Sequence, residues 1–186
     1  MPKITDAKIL IISADGFEQS ELEVPRDELK KAGAAVTLAT PDGNNVKGWK
    51  DKNWGPEAQA HAAIGDVSAA DFDALVIPGG QMNPDILRTI PAAISLVKDF
   101  AAAGKPIAAI CHAPWLLIEA GILEGRKATS YGSIRTDVMN AGANWEDSEV
   151  VVDNGLITSR SPEDLPAFVA KIIEEVEEGR HHAAAA

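Results

Sequence analysis

Short apolar runs and amphipathic stretches alternate along this chain. Residues 8–13 (KILIIS), 35–40 (AVTLAT), 73–78 (DALVIP) and 105–110 (KPIAAI) are dense in Ile, Val, Leu and Ala, which predicts strands buried on both faces. Residues 17–32 carry Leu22, Val24, Leu29 and Ala32 among charges and stop at Gly33, predicting an amphipathic helix that Pro25 kinks or restarts. Residues 84–103 predict a second helix closed by Gly104, and residues 114–120 and 133–140 predict shorter ones ahead of Gly121 and Gly142. Residues 149–153 and 156–159 flank Asn154-Gly155, a hairpin signal. A last helix follows the capping pair Ser161 and Asp164, with Leu165, Phe168, Val169, Ile172, Ile173 and Val176 on one face. Between the second and third strands the pattern weakens. Residues 44–70, broken by Gly48, Gly55, Pro56 and Gly65 and holding Trp49 and Trp54, predict a hairpin or an irregular excursion.

Strands alternating with helices define an α/β fold, a three-layer sandwich with a mostly parallel central sheet and helices on both faces, of flavodoxin-like type. With 186 residues the chain fits one domain, expected over residues 1–178, with residues 179–186 as a flexible tail ending in HHAAAA. Composition narrows the partners. Asp and Glu number 28 against 17 Lys and Arg, a net charge of −11, which disfavours nucleic acid and anionic membrane surfaces. The opening MPKITDAKILIIS lacks a signal-peptide core, and the apolar stretch around residues 107–123 is interrupted by His112, Pro114 and Glu119, so a cytoplasmic protein without a membrane span is expected. One cysteine excludes an intrachain disulfide and any multi-cysteine metal site, and no metal or organic cofactor is called for.

In an open parallel sheet, ligands bind beyond the carboxyl ends of the strands. Three chemically suggestive segments fall there: Asp15-Gly16-Phe17-Glu18, Pro78-Gly79-Gly80 and Cys111-His112. Ala109-Ile110-Cys111-His112-Ala113 puts small residues two before and two after a thiol between strand and helix, the steric requirement of a nucleophile elbow. The following helix start is expected to favour thiolate. The backbone N–H groups of Gly79, Gly80 and His112 are the candidate donors to an oxyanion, and Glu18 is the candidate carboxyl beside the sulfur. Asp85 opens the next helix, where a carboxylate also serves simply to complement the helix dipole.

At these residues the chain resembles the PfpI family of intracellular cysteine peptidases and stress proteins, in the class I glutamine amidotransferase-like superfamily. The resemblance runs through DGFEQSEL, VIPGG, AAICHAPWLLIEAGILEGRKATSY, DVMNAGANW and VVVDNGLITSRSPEDL, nearly the whole chain. It implies Cys111 as nucleophile, Glu18 as the carboxyl on its sulfur and His112 as the adjacent catalytic histidine, with His112 or a carboxylate as the base where one is needed. In peptidase-like members that His is oriented by a carboxylate of a neighbouring subunit; here QMNPDILR, one residue longer than the usual form, offers Asp85 for that role in cis or in trans. The superfamily's late His-x-Glu is absent, with Ser161-Pro162-Glu163 in its place, which argues against glutamine hydrolysis. The resemblance further implies a homodimer or larger ring, with the site shared between subunits in the peptidase-like members. It implies a cysteine hydrolase of the peptidase type, a stress protein acting on a carbonyl carbon of a small carbonyl or peptide substrate; the alternative is a deglycase or glyoxalase acting on methylglyoxal or its adducts. A redox-sensing stress protein or holding chaperone is the reading from a different class, since a thiolate beside a carboxyl is poised for oxidation.

Overall fold

The computed structural model describes residues 3–179, so the HHAAAA tail and the first two residues lie outside the described residues. Among the described residues twelve strands form: β1 (Lys8–Ile12), β2 (Phe17–Glu18), β3 (Ala35–Thr40), β4 (Val46–Lys50), β5 (Asn53–Ala58), β6 (Ala62–Ala63), β7 (Ala74–Ile77), β8 (Ile107–Ile110), β9 (Lys127–Ala128), β10 (Asn144–Trp145), β11 (Val151–Asp153) and β12 (Leu156–Ser159). The helices are α1 (Gln19–Lys31), α2 (Met82–Leu87), α3 (Pro91–Ala102), α4 (Pro114–Glu119), α5 (Arg135–Asn140) and α6 (Leu165–Glu178).

The main sheet has the order β11-β12-β8-β7-β1-β3-β6. Every pairing in it is parallel except β11 with β12, the hairpin through Asn154-Gly155. Two hydrophobic clusters cover its faces, as the continuous apolar runs require. One packs α3 and α4 through Val97, Phe100, Leu116 and Leu117 onto Leu10, Ile12, Leu75 and Ile77. The other packs α1 and α6 through Leu22, Leu29, Phe168 and Ile172 onto Ile9, Ile11, Val76 and Ile110. Alternate residues of the same strand thus feed opposite clusters, the period-two rule applied to a sheet covered on both sides. This is the expected three-layer α/β sandwich. No helix of the described residues is long and apolar enough to cross a membrane.

Local differences from the sequence expectation have physical reasons. The stretch 84–103 is two helices, because Ile90 precedes Pro91 and takes an extended conformation (φ −100°, ψ 108°) that a following proline favours. Pro25 stays inside α1 without dividing it. Ser161 does not cap the last helix: its hydroxyl donates to Glu163, while Asp164 accepts from Arg160, and a short 3₁₀ turn intervenes before α6. The weakly patterned stretch contains the β4–β5 hairpin, whose Trp49 and Trp54 pack edge to face at 5.4 Å, and then β6 at the sheet edge.

The order places the site. From β1 the chain steps to β3 on one side, then returns to β7 on the other, so a crevice opens at the carboxyl ends of β1 and β7, with β8 next in line.

Candidate active site

Cys111 leaves the end of β8 with φ +65°, a left-handed conformation that costs a non-glycine residue of order 1–3 kcal/mol. Surrounding hydrogen bonds hold it there: its N–H donates to the Ser159 carbonyl at 3.0 Å, and its carbonyl accepts from Tyr131 N–H at 2.8 Å. The elbow turns the thiol into the crevice, where it is 6% exposed. Gly79 lets the neighbouring loop close on it. A Cβ on Gly79 would collide with both Cys111 Cβ and Glu21 Oε2, so any side chain there separates these groups. Gly80 has φ +79° and backs onto Gly16 and Glu18 backbone, where a Cβ would meet atoms at 2.5 and 2.7 Å.

The carboxyl against the sulfur is Glu21, not Glu18. Glu18 still has extended backbone, sits half-buried just before α1, and lies beside Lys50, Asp51 and Ser20. One helical turn further on, Glu21 falls on the inward face of α1 with Leu22, Pro25 and Leu29 and is fully buried. Its Oε2 accepts from Gly79 N–H at 2.9 Å, and its carboxyl faces the Cys111 thiol. Oε1, sealed from solvent, has no nitrogen or oxygen partner. Burial, and then the negative Glu18, push the Glu21 pKa from an ordinary 4.5 to about 8, so the group is a neutral acid at pH 7. A carboxylate in the middle of an apolar helix face is the sequence signal for Glu21; attention to the first acidic residue after β1 missed it.

Burial also pushes the Cys111 thiol up, reinforced by the charge of Glu21 whenever Glu21 is ionised. The N–H groups of Gly80 and His112 face the sulfur and pull the other way. The Gly79 N–H does not join them, because Glu21 occupies it, which corrects its expected place among the donors. The helix after the elbow, α4, is only six residues long. The carboxyl and the two N–H groups therefore act on the thiol directly.

His112 packs beside its own predecessor, with Nδ1 3.1 Å from Cys111 Sγ. Nε2 lies 3.0 Å from the Ser133 hydroxyl, and the ring stacks on Tyr131 at 4.8 Å. Burial lowers its pKa, favouring the neutral imidazole. Asp85 is exposed on α2 and forms no hydrogen bond to His112 within the chain; Ser133 takes that position. Ser133 and Tyr131 escaped sequence reasoning because they come from the loop after β9, brought in by the Tyr131 N–H bond to the Cys111 carbonyl.

Asn83 is another residue the pattern did not single out. Fully buried, it accepts from Ala14 N–H at 2.7 Å and donates to the Pro78 carbonyl at 2.9 Å, tying the end of β1 to the end of β7. Asp15 does related work, accepting from Lys47 N–H at 2.7 Å and fixing the β4–β5 hairpin to the same rim. Together these segments enclose a cavity of about 440 Å³ with Cys111, Glu21 and His112 in its floor. Glu18, Trp49, Gln81, Tyr131 and Glu163 stand around its mouth.

The model of the family described as DJ-1/PfpI matches residues 7–175. Protein/nucleic acid deglycase 2 of Escherichia coli is 45% identical over 87% of this chain and 92% of its own length. General stress protein 18 of Bacillus subtilis is 47% identical over the same shares of the two chains. Among solved structures, Drosophila melanogaster DJ-1beta superposes with a TM-score of 0.82 at 33% identity, covering 96% of this chain and 95% of that one.

Proposed function

The chain belongs to the DJ-1/PfpI family, and on that premise we propose that it is a cysteine-dependent enzyme that acts on the carbonyl carbon of small α-oxoaldehydes of the methylglyoxal type, free or carried as adducts on amines and thiols. The observation that carries this reading is the buried pair of Cys111 and a protonated Glu21 under one cavity. Sulfur adds to the aldehyde carbon while the thiol proton passes to neutral His112 Nδ1, and the N–H groups of Gly80 and His112 lie beside the oxygen that gains charge. Glu21 gives its proton to that oxygen. As carboxylate it then takes the hydrogen from the same carbon and returns it to the adjacent one, while the hydroxyl proton of the first carbon passes to the oxygen of the second. The thioester so formed yields, with one water, the 2-hydroxy acid and the free thiol, the His112 proton returning to sulfur and Glu21 regaining its proton from the acid as that leaves as carboxylate; from a hemiaminal or hemithioacetal adduct the amine or thiol first leaves with the hydroxyl proton, giving the aldehyde that sulfur attacks.

Relatives named as a deglycase and a general stress protein support this reading. Peptide hydrolysis is the second reading, favoured by the 3.1 Å approach of His112 to sulfur. It asks for a carboxylate to orient His112, which within one chain would displace Ser133; a homodimer or larger ring bringing Asp85 from a second copy would supply it. A cytoplasmic location fits the single free cysteine, whose use as a nucleophile is best kept in a reducing compartment.

The test compares Cys111→Ala with the parent on methylglyoxal, on a glycated amine or thiol, and on an unfolded protein substrate. Loss of turnover on the first two by at least about a hundredfold is expected. Equal rates for parent and variant on every substrate would overturn the nucleophile.

A further inference from the structure

Two consecutive glycines stand between β7 and α2, and the site needs both of them bare. A Cβ on Gly79 would collide with Cys111 and Glu21, and one on Gly80 with the backbone of Gly16 and Glu18. The same lack of side chains leaves the peptide between them free to turn over, since glycine accepts φ of either sign. Yet the site depends on which way these peptides face. The Gly79 N–H donates to Glu21 Oε2 at 2.9 Å, and the Gly80 N–H faces the Cys111 sulfur. Glycine's own preferences do not choose that orientation.

Asn83 holds the other end of both peptides. In a trans peptide the carbonyl points opposite to the N–H, and the carbonyls that belong with these two N–H groups are those of Pro78 and Gly79. Asn83 Nδ2 donates to the Pro78 oxygen at 2.9 Å and to the Gly79 oxygen at 3.3 Å. Glu18 N–H adds a longer contact to the Gly79 carbonyl at 3.4 Å. Asn83 Oδ1 accepts from Ala14 N–H at 2.7 Å, which settles the direction of the amide: its oxygen meets a donor and its nitrogen two acceptors. The side chain is fully buried, and burying an amide is costly unless its polar atoms are bonded. All three of its bonds go to backbone. The segment Gln81 to Arg88 thus reaches the site within one chain through Asn83, while Asp85 stays exposed.

We propose that Asn83 is a positioning residue: by gripping the Pro78 and Gly79 carbonyls against the end of β1, it keeps the Gly79 N–H on Glu21 and the Gly80 N–H on the Cys111 sulfur before any substrate arrives. It touches no reacting atom and acts through the two peptides. The inference rests on the reading of Cys111 as the group that meets the carbonyl carbon. A Gly80 N–H turned away would neither steady the thiolate nor lie beside the oxygen that gains charge.

Cys111 is the one cysteine of the chain, so alkylation by iodoacetamide reads its sulfur without turnover: an S–C bond forms, iodide leaves and the thiol proton goes to the buffer. Asn83→Asp keeps an acceptor for Ala14 N–H but sets a carboxylate against two carbonyl oxygens, and Asn83→Ser is too short to bridge them. In both, the alkylation rate at pH 7 is expected to fall about tenfold or more. On methylglyoxal kcat should fall with it while KM stays within a few-fold. An asparagine that only braced the loop would give the opposite sign, because a loosened loop uncovers a thiol that is 6% exposed. Alkylation as fast as the parent's, or faster, in a variant folded by circular dichroism would overturn the proposal. Where neither variant folds, amide-nitrogen relaxation dispersion on the parent decides. Flat profiles at Gly79 and Gly80 are expected, and millisecond exchange there would show that the peptides turn over despite Asn83 and would equally overturn it. Slower alkylation in the variants, with no turnover by the parent of methylglyoxal or of its amine and thiol adducts, would remove the carbonyl reading and leave the role of Asn83. Parental alkylation rates in the variants of a parent that turns methylglyoxal over would remove that role and leave the carbonyl reading.

Discussion

The floor and the mouth of the cavity both present glutamates, and the two places give the same side chain opposite states. In the floor, Glu21 is cut off from water on the apolar face of α1 and keeps its proton to about pH 8. At the mouth, Glu163 is solvated, bonded to Ser161 and ionised. Environment alone sets one as a proton donor and the other as a fixed negative charge, the pattern by which two carboxyls take separate roles in one site. The floor is also rigid where the mouth is not constrained to be: Gly79, Cys111 and Glu21 pack so closely that a single added methyl has no room. The first region can move a proton at the sulfur; the second holds a fixed charge in water.

Changes in the floor should therefore act on the chemical step and on stability, and changes at the solvated mouth far less on either. The largest effect is expected from Cys111→Ala, which removes turnover and, because alanine keeps the Cβ and so leaves the left-handed backbone strain as it was, leaves the fold intact by circular dichroism. Gly79→Ala comes next. Its Cβ would press Cys111 and Glu21 apart, so a stability loss of about 1–3 kcal/mol in chemical unfolding is expected together with the loss of most activity. Glu21→Gln should lower kcat by about 10²–10⁴ while leaving KM within a few-fold.

The same variant has a pH signature. Because folding raises the Glu21 pKa, the native state holds a proton that the unfolded chain releases above pH 4.5. The stability that proton contributes is full below that value and is lost as pH rises to about 8, at up to about 1.4 kcal/mol per pH unit. Glu21→Gln has nothing to lose, so its stability relative to the parent should climb from pH 5 to pH 8 and level off beyond. Parallel stability curves for the two proteins would mean that Glu21 does not hold a shifted proton. A smaller effect is expected of Ser133→Ala, which frees His112 Nε2: a few-fold loss of kcat and a changed pH profile with KM unaltered. Equal profiles would make Ser133 a bystander.

Much of this was legible in the amino-acid order, and the contrast between two segments shows why. The elbow could be read because its requirements are local: small residues around Cys111, a strand before and a helix after. The buried runs fixed the layered α/β fold for the same reason, since continuous apolarity has one stable solution in a chain of alternating strands and helices. The carboxyl could not be placed by adjacency. Glu18 and Glu21 are one helical turn apart, and which turns inward depends on α1 beginning at Gln19 after two residues paired with β4. Its neighbours Leu22, Pro25 and Leu29 on the buried face were the available clue. Ser133, Tyr131 and Asn83 were hidden for a different reason: their roles come from contacts across long loops, and nothing in their own surroundings along the chain marks them.

The central claim is that Glu21 is a neutral acid beside the Cys111 sulfur in the working pH range. Infrared difference spectroscopy between the parent and Glu21→Gln reads this directly through the carbonyl stretch of a protonated carboxyl. A band present at pH 7 in the parent, absent in the variant and titrating away near pH 8 is the expected result. A difference spectrum showing only carboxylate at pH 7, with any protonated band gone below pH 6, would contradict it.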